Sequence, residues 1–384
     1  MRVEGNTTIL LFGPGEFRST SSASIFGGKF REARVERGKV LPVYFPEDTE
    51  VKITGDFVAV NGSTIPESWK KFSDKDYGRI FLFGESDSGK SSFAAYVMNT
   101  MGIETAIDAD VGQNDIAHPG AMGMGVKKSD IYTLQHLEVS EVAFVGVISP
   151  SGFESRCLRA FTHLVKKVRG RAVVDTTGWV RGWRAREYKL SKIETFEPDV
   201  VACFGEPPYY LDGYEVITLE SFVVRKRDRD LRASIRGRRY EHWLNDLEEV
   251  EVCVDDVMTR NTSMLQGCRL EDDLLSSFGD VVYAEKGFDF LNIYSENFDA
   301  GREAISMLRE FYGVAEVNII KPSDLSGLFL GLFRGNRYLS PGILKGIDFE
   351  ERKIKILGRK DIDTVEFGSF RLDEDLKEIL VRVP

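Results

Sequence analysis

The sequence is poor in the residues that usually hold structural metals or disulfides. Its four cysteines and four histidines are scattered over 384 residues, and no two cysteines form a C-x-x-C pair. This spacing predicts neither a zinc ribbon nor a disulfide framework. No apolar run approaches the roughly 18 residues that a membrane-spanning helix needs, and the N-terminal segment lacks a cleavable signal pattern. We therefore expect a cytoplasmic protein with no membrane association.

The chain also lacks an overall basic charge. Its formal net charge is -10 at pH 7, which excludes a surface coated in positive charge. Nucleic-acid binding nevertheless depends on local patches, and one is present. Eight Arg or Lys residues occupy the fifteen positions from Arg225 to Arg239. A polynucleotide ligand therefore stays open.

The chain length and the pattern of apolar and turn-forming residues predict an α/β protein with three domains. At 384 residues the chain is too long for one ordinary hydrophobic core. Residues 1–76 are short β-type segments broken by Gly, Pro and Asn, which is typical of a small β-sandwich or barrel. In residues 77–246, apolar strands alternate with helical patterns, which predicts a doubly wound parallel sheet. Residues 247–384 mix strands with a helix over 301–313, and we expect a smaller α+β domain.

The stretch "FLFGESDSGKSSF" contains the spacing G-x-x-x-x-G-K-S between an apolar strand and a helical pattern. The glycines allow backbone N–H groups to turn inward around phosphates, Lys90 reaches the β and γ phosphates, and the Ser91 hydroxyl can ligate magnesium. Because strand and helix flank the motif as a phosphate-binding loop requires, a chance match is disfavoured. The predicted nucleotide-binding residues are Gly84, Glu85, Ser86, Asp87, Ser88, Gly89, Lys90, Ser91 and Ser92.

Two aspartates follow the next strand, in "IDADVGQ". Asp108 and Asp110 are two positions apart, which places both side chains on one face of a strand. One carboxylate can orient magnesium or its water, while the other accepts a proton from an attacking hydroxyl. The alternative is a solvated pair at a strand end. The carboxyl edge of a parallel sheet is where ligands bind, which favours chemistry.

A later strand ends in the same way, in "RAVVDTTGW". Asp175 is a Walker B candidate, able to contact magnesium through water. The same letters also fit the D-x-x-G switch of a GTPase. No N-K-x-D or T-K-x-D segment follows to select guanine, which disfavours that interpretation.

Two tryptophans follow this strand in a loop. An indole can stack on any nucleobase, because every base offers a π face. Packing against the protein is an equally ordinary role for Trp179 and Trp183, and we favour stacking only for Trp179.

The basic segment, residues 221–245, predicts a mobile arginine-rich lid. Arg227, Arg232 and Arg236 are five and four positions apart, so on a helix they lie along nearly one side. Arginines there can clamp transferring phosphoryl oxygens or hold a polynucleotide backbone. The alternative is a solvated helix face.

Taken together, these segments resemble the polynucleotide 5′-hydroxyl kinases, a family that includes the kinase subunit of the pre-mRNA cleavage and tRNA-splicing machinery and kinases of pre-rRNA processing. The resemblance rests on "GESDSGKSS", "DADVGQ" with "HPG" after it, "DTTGWVRG", the arginine-rich segment and the late "GILKGIDFEERKIKIL". It extends from about residue 78 to 372. The order of the segments is more specific than any one of them.

The resemblance implies transfer of the ATP γ-phosphate to the 5′-hydroxyl of RNA or DNA, with Mg²⁺ as cofactor. Which of Asp108 and Asp110 accepts the proton stays open, although we favour Asp110. Asp175 stands where many relatives have asparagine, and the first 75 residues match only in texture, so no adenine contact is predicted. The catalytic residues implied are Lys90, Asp108, Asp110, Arg227, Arg232 and Arg236. The implied metal residues are Ser91, Asp108 and Asp175, and the substrate-binding residues are Gln113, Thr176, Gly178 and Trp179.

Three other functions compete with the kinase. A scaffold subunit of an RNA-processing complex could bind ATP without turnover, but the complete set of lysine, aspartates and arginines favours an enzyme. A P-loop GTPase lacks support for guanine selection. A small-molecule kinase would not need so much positive charge on its lid. The sequence assigns no protein partner and no residue that discriminates RNA from DNA.

Overall fold

The protein is described here by a computed structural model that covers residues 1–221, 227–271, 273–298 and 300–384. Residues 222–226 of the predicted lid lie outside the described residues.

The chain divides into two compact units. The first comprises residues 1–143 and 149–236, and the second comprises residues 144–148 and 237–384. The first unit contains most of both the predicted N-terminal and central domains. The later boundary falls after residue 236, whereas the sequence suggested 246. The three predicted domains remain a proposal.

The first sheet of unit 1 is antiparallel in its described pairings. Its strands are β1 (Arg2–Val3), β2 (Thr7–Phe12), β3 (Gly15–Ile25), β4 (Gly28–Val35), β5 (Val40–Phe45), β6 (Thr49–Thr54) and β7 (Phe57–Asn61). Buried and exposed side chains alternate along much of β3, as expected of a strand with one face on the core. The order is β1-β6-β3-β5-β2-β7, with β4 beside β3. The predicted β-rich segment is therefore present, and in it the long β3 pairs with β4 and β6 and, at Ser24, with β5.

The second sheet of unit 1 carries the phosphate-binding motif. Its elements are α1 (Glu67–Ser73), β8 (Arg79–Gly84), α2 (Lys90–Thr100), β9 (Thr105–Ala109), β10 (Ala121–Val126), β11 (Glu138–Phe144), α3 (Glu154–Val165), β12 (Ala172–Thr176), α4 (Trp183–Phe196), β13 (Val200–Phe204) and β14 (Val216–Leu219). The strand order is β11-β10-β9-β12-β8-β13-β14. Strands β8, β9, β12, β13 and β14 pair in parallel, as predicted.

One part of this sheet differs from the prediction, because β10 runs antiparallel to β9. The chain returns from β9 to β10 through a loop, without the crossover helix that a parallel neighbour needs. The α/β prediction is confirmed, but the sheet is mixed. Side chains of both sheets of unit 1 share one hydrophobic core, in which Ile9 and Phe45 belong to the same cluster as Ile80 and Phe93.

Helix α5 (Arg229–Leu244) contains Arg232 and Arg236 of the predicted lid. Asp228 precedes it and accepts a hydrogen bond from the Leu231 N–H at 2.8 Å, as an N-terminal cap does. Part of the basic segment is therefore helical, and Arg227 precedes the helix.

Unit 2 contains two further sheets. Its remaining elements are β15 (Glu248–Cys253), β16 (Met258–Arg260), β17 (Cys268–Arg269), α6 (Asp273–Ser276), β18 (Tyr283–Lys286), β19 (Phe290–Tyr294), α7 (Arg302–Tyr312), β20 (Glu316–Ile320), α8 (Pro322–Leu325), β21 (Leu328–Arg334), β22 (Arg337–Asp348), β23 (Lys353–Gly358), β24 (Thr364–Leu372) and β25 (Glu378–Leu380). The larger sheet has the order β15-β23-β22-β21-β24-β16, with β25 beside β24, and the smaller has β17-β18-β19-β20. Helix α7 matches the predicted helix within one residue at each end. Among the described helices, none is both long and apolar enough to cross a membrane.

Candidate functional site

The phosphate-binding motif forms a tight loop between β8 and α2. Gly84 ends β8 with φ +154°, and Gly89 precedes α2 with φ +101°. A Cβ at Gly84 would lie 2.8 Å from the Cβ of Phe204 on the neighbouring strand, so a larger residue does not fit. The motif thus has the strand–loop–helix geometry that anion binding by backbone N–H groups requires.

Lys90 lies inside this loop. Its Nζ donates to the carbonyl oxygens of Gly84 at 3.0 Å and Glu85 at 2.6 Å. Burial lowers the pKa of Lys90, and the nearby carboxylates of Asp175 and Asp110 partly oppose that shift. The loop therefore holds a buried ammonium group where the sequence predicted a phosphate contact.

Asp175 and Ser91 are joined directly. The Ser91 Oγ donates to Asp175 Oδ2 at 2.5 Å, and the Thr176 N–H donates to Asp175 Oδ1 at 2.8 Å. Asp175 also lies opposite Asp108 in the parallel pairing of β12 with β9. Burial raises the pKa of Asp175, although Lys90 lowers it in part. The structure therefore brings together the three predicted metal residues.

Asp108 and Asp110 have different surroundings, contrary to the expectation that both lie on one face. Strand β9 ends at Ala109, so Asp110 belongs to the following loop and the alternation of a strand no longer applies. Asp110 lines a cavity, whereas Asp108 is 2% exposed and is not among the described residues that line it. Asp108 Oδ1 accepts from the Asp110 N–H at 3.0 Å, and its Oδ2 accepts from the Asp115 N–H at 2.6 Å.

The pKa of Asp108 is raised well above its ordinary value, first by burial and then by the charge of Asp175. Its two backbone hydrogen bonds fasten both sides of the loop that contains Asp110. This arrangement fits a positioning role for Asp108. Asp110 itself accepts hydrogen bonds from the N–H groups of Gly112 at 2.9 Å and Gln113 at 3.1 Å, which orient its carboxylate.

Asn114 organises the rest of this loop and was missed by the sequence reasoning. Its Nδ2 donates to the carbonyl of Asp108 at 2.8 Å, and its Oδ1 accepts from the N–H groups of Ile116 and Ala117. Short amide side chains often replace backbone partners in this way, so an asparagine directly after "DADVGQ" was an available signal.

The loop after β12 packs against the phosphate-binding loop. A Cβ at Gly178 would lie 2.2 Å from the backbone N of Ser86, so only glycine allows the two loops to approach this closely. Gln113, Thr176 and Gly178, three of the four predicted substrate-binding residues, line the cavity. Trp179 packs near Tyr188, with ring centroids 5.9 Å apart, and is not among the described lining residues.

Two of the three predicted lid arginines contact the phosphate-binding loop. Arg227 Nε donates to Asp87 Oδ1 at 2.6 Å, and Arg232 Nη2 donates to Asp87 Oδ2 at 2.6 Å. Burial of Asp87 opposes ionisation, but the two arginines outweigh it and the pKa of Asp87 is lowered. Both arginines line the cavity, and Arg236 is not among the described lining residues.

Two buried lysines of α4 support the site from behind, and the sequence reasoning did not identify them. Lys189 Nζ donates to Thr176 Oγ1 at 2.7 Å, and Lys192 Nζ donates to the carbonyl of Ala109 at 3.2 Å. Burial lowers the pKa of both, that of Lys192 to about 8. The signal in the sequence was a pair of lysines among the apolar residues of α4, because buried amines need polar partners.

The cavity has a volume of about 600 Å³. The first sheet of unit 1, its neighbouring loops and α1 supply one wall, which includes Gly38, Leu41, Pro42, Ile65 and Trp69. Lys39 links this wall to the loop between β9 and β10, because its Nζ lies 3.2 Å from Asp115 Oδ1. No local sequence pattern predicts this wall, because its residues approach the phosphate-binding loop only through tertiary folding.

A phosphate-binding loop that faces acidic strand ends and two arginines defines a P-loop nucleotide-binding protein. The family model for the P-loop of the mRNA cleavage and polyadenylation factor CLP1 matches residues 84–245. A polyribonucleotide 5′-hydroxyl-kinase of Pyrococcus horikoshii is 28% identical over 358 residues, which cover 86% of this chain and 97% of the relative. A polyribonucleotide 5′-hydroxyl-kinase of Methanocaldococcus jannaschii is 27% identical and covers 78% of this chain and 89% of its own length.

Solved structures agree at the level of the fold. The chain resembles Clp1p from a Clp1p–Pcf11p complex with a TM-score of 0.61 and 13% identity, covering 97% of both chains. A second structure of Clp1p with Pcf11p gives the same TM-score at 14% identity. The archaeal kinase relatives confirm the predicted resemblance to the polynucleotide 5′-hydroxyl kinases, and the solved structures support the fold alone.

Proposed function

We propose that this chain is an ATP-dependent polynucleotide 5′-hydroxyl kinase that transfers the γ-phosphate of ATP to the 5′-hydroxyl end of RNA or DNA. The observation that carries this proposal is the convergence, around one cavity of about 600 Å³, of Lys90, Ser91, Asp110, Asp175 and two lid arginines. The kinase relatives span most of the chain, which supports the same activity.

The residues at the start of α2 fit a magnesium ion. Mg²⁺ takes oxygen ligands and is usually held by one or two protein groups together with phosphates and water. Ser91 Oγ and Asp175 Oδ2 are such oxygens, 2.5 Å apart beside the loop. These two residues would hold the ion, and Asp108 would act from behind. When bound, the ion neutralises charge on the β and γ phosphates.

Asp110 serves as the general base in this proposal. Its carboxylate lines the cavity and is oriented by two backbone N–H groups. It takes the proton of the 5′-hydroxyl while the oxygen attacks the γ-phosphorus, and the bond from that phosphorus to the bridging oxygen breaks to release ADP. The proton remains on Asp110 until solvent removes it.

Lys90 and the lid arginines neutralise the charge that spreads over the transferring group. Arg227 and Arg232 contact Asp87 in this structure, so their guanidinium groups already lie at the phosphate-binding loop. Gln113, Thr176, Gly178 and Trp179 would border the acceptor end, and Arg236 would join the other arginines on a bound polynucleotide.

The adenine base would lie on the wall formed by the first sheet and α1. Leu41, Pro42, Ile65 and Trp69 offer the apolar contacts that a purine needs. Trp69 is fixed there, because its Nε1 donates to the carbonyl of Glu220 at 3.0 Å.

Incubation with γ-labelled ATP and matched 5′-hydroxyl oligonucleotides tests the proposal. RNA and DNA, single- and double-stranded, are compared, with 5′-phosphorylated oligonucleotides as the matched control. We expect label on at least one 5′-hydroxyl strand and none on the controls. ATP binding without any labelled strand would instead favour the scaffold function, and a preference for GTP would favour the GTPase.

A further inference from the structure

Two large aromatic side chains of unit 1 are strongly exposed. Trp183, the first residue of α4, is 75% exposed, and Tyr209, which follows β13, is 71% exposed. Strands β12 and β13 both pair in parallel with β8, one on each side. The segments that follow them therefore leave the sheet at the same edge as the phosphate-binding loop.

Arg186 contacts Tyr209 and lies on the same helix as Trp183. Its Nη1 donates to the Tyr209 hydroxyl at 2.7 Å, and its guanidinium carbon lies 5.4 Å from the centre of the Tyr209 ring. Trp183 and Arg186 are three positions apart on α4, so they are neighbours on the helix surface. Trp183, Arg186 and Tyr209 together form a strip of two aromatic faces and one guanidinium, which we name the stacking strip.

The loop that leads into α4 contacts the phosphate-binding loop. Gly178 packs on Ser86, and three residues later Arg181 Nε donates to Glu85 Oε1 at 2.8 Å. The side chains of this ion pair are 86% and 56% exposed. Exposed ion pairs contribute little to stability, so Arg181 can exchange Glu85 for a phosphate at small cost.

The chemistry of the strip fits single-stranded nucleic acid. Bases stack on aromatic rings and on guanidinium planes, and arginines bind the phosphates between them. A protein-docking patch would instead be a continuous apolar surface. In the stacking strip, an arginine contacts one ring and lies three positions from the other along α4.

We propose that the stacking strip binds the nucleotides that follow the 5′-terminal one in a single-stranded polynucleotide. This inference rests on the proposed kinase function, because it extends the acceptor site beyond the reacting end. Stacking has little base preference, so the strip should increase the affinity for longer single strands and contribute little sequence specificity.

The test compares Trp183→Ala and Tyr209→Ala with wild type on 5′-hydroxyl RNA of different lengths. For a single strand of about ten nucleotides, we expect each variant to raise KM about 5- to 10-fold. This increase corresponds to the lower end of the affinity loss, about 1 kcal/mol, that follows removal of an aromatic ring on which a base stacks. The change for a dinucleotide should be smaller, since it does not reach the strip. Trp183→Phe keeps an aromatic face and should restore most of the affinity. Phe288→Ala removes an exposed ring from unit 2 and is the matched control.

Fluorescence anisotropy with a labelled 5′-hydroxyl RNA of the longer length gives a second readout that needs no phosphate transfer. Weaker binding by Trp183→Ala, together with no transfer by wild type, would overturn the kinase and support the strip. Transfer by wild type, with unchanged binding in both alanine variants, would overturn the strip and leave the kinase standing. Equal losses on the dinucleotide and the longer strand would also overturn the strip.

Discussion

Each unit of the molecule buries carboxylate groups, and it does so in a different way. In unit 2, Glu285 is fully buried. Its Oε1 accepts from the Leu265 N–H at 2.7 Å, Asn292 Nδ2 at 2.9 Å and the Tyr294 hydroxyl at 3.0 Å, and its Oε2 accepts from the Gly267 N–H at 3.0 Å. Four donors surround this one side chain, which therefore holds the segment from Leu265 to Gly267 in place.

In unit 1, Asp108 and Asp175 are buried on adjacent strands, opposite each other in the pairing of the sheet. Each accepts hydrogen bonds, yet the pKa of both is raised by burial, and that of Asp108 also by the charge of Asp175. Two carboxyl groups whose ionisation is disfavoured thus lie side by side, and Asp175 lines the cavity. The comparison teaches that a satisfied buried carboxylate stabilises a fold, whereas a crowded pair indicates a site that is completed by a cation.

We expect the largest effect on phosphate transfer from loss of the Lys90 ammonium group. Lys90→Ala should reduce phosphate transfer by about 10³-fold or more, because charge neutralisation at the transferring group is the main source of catalysis. Lys70→Ala, which removes a half-exposed lysine of α1, is the matched control. Transfer is measured with γ-labelled ATP and folding by circular dichroism. Substantial activity in a folded Lys90→Ala protein would show that this lysine does not act at the phosphates.

Asp110→Asn should follow in size. Loss of a general base costs about 10²- to 10⁴-fold in kcat, and the backbone N–H groups of Gly112 and Gln113 can still bind the asparagine oxygen. ATP affinity should therefore change little. Asp76→Asn alters an exposed carboxylate and serves as the control. A rise in KM for ATP with unchanged kcat would identify Asp110 as a binding residue instead.

The sequence predicted those parts of the site that are contiguous along the chain. It did not predict the parts that depend on tertiary contacts. The phosphate-binding loop is a local strand–loop–helix unit, so its spacing alone predicted it. Strand alternation misplaced Asp110, because β9 ends one residue before it. The pairing of Asp87 with Arg227 joins residues 140 positions apart, which no local pattern encodes.

Glu285→Gln would break the arrangement in unit 2. A glutamine amide has one oxygen, so its NH₂ group must face at least one of the donors that now contact Glu285. The Gly267 N–H and Asn292 Nδ2 can only donate hydrogen bonds, so neither can pair with that NH₂ group. Leaving buried donors unpaired costs roughly 1–3 kcal/mol in the free energy of unfolding. Urea denaturation measures it, and Glu316→Gln, at an exposed position of β20, is the control. The kcat of folded molecules should stay unchanged, and an unaltered stability would remove the structural role of Glu285.

Asp175→Asn should have the opposite effect on stability, although it lowers phosphate transfer. The Thr176 N–H can donate to the amide oxygen while the amide NH₂ donates to Ser91 Oγ, because a hydroxyl can accept as well as donate. The substitution therefore removes a buried negative charge without leaving a group unpaired.

The pH dependence gives the sharpest form of this last prediction. Because the folded pKa of Asp175 is raised, the wild-type protein loses stability as pH increases from the ordinary aspartate value through the raised one. Asp175→Asn lacks this loss, so its advantage in urea denaturation should be absent below the ordinary value and fully present above the raised one. The measurement is made without metal, since Mg²⁺ would offset the charge in wild type. A variant less stable than wild type at neutral pH would mean that Lys90 already compensates Asp175, and that the crowded pair needs no further cation.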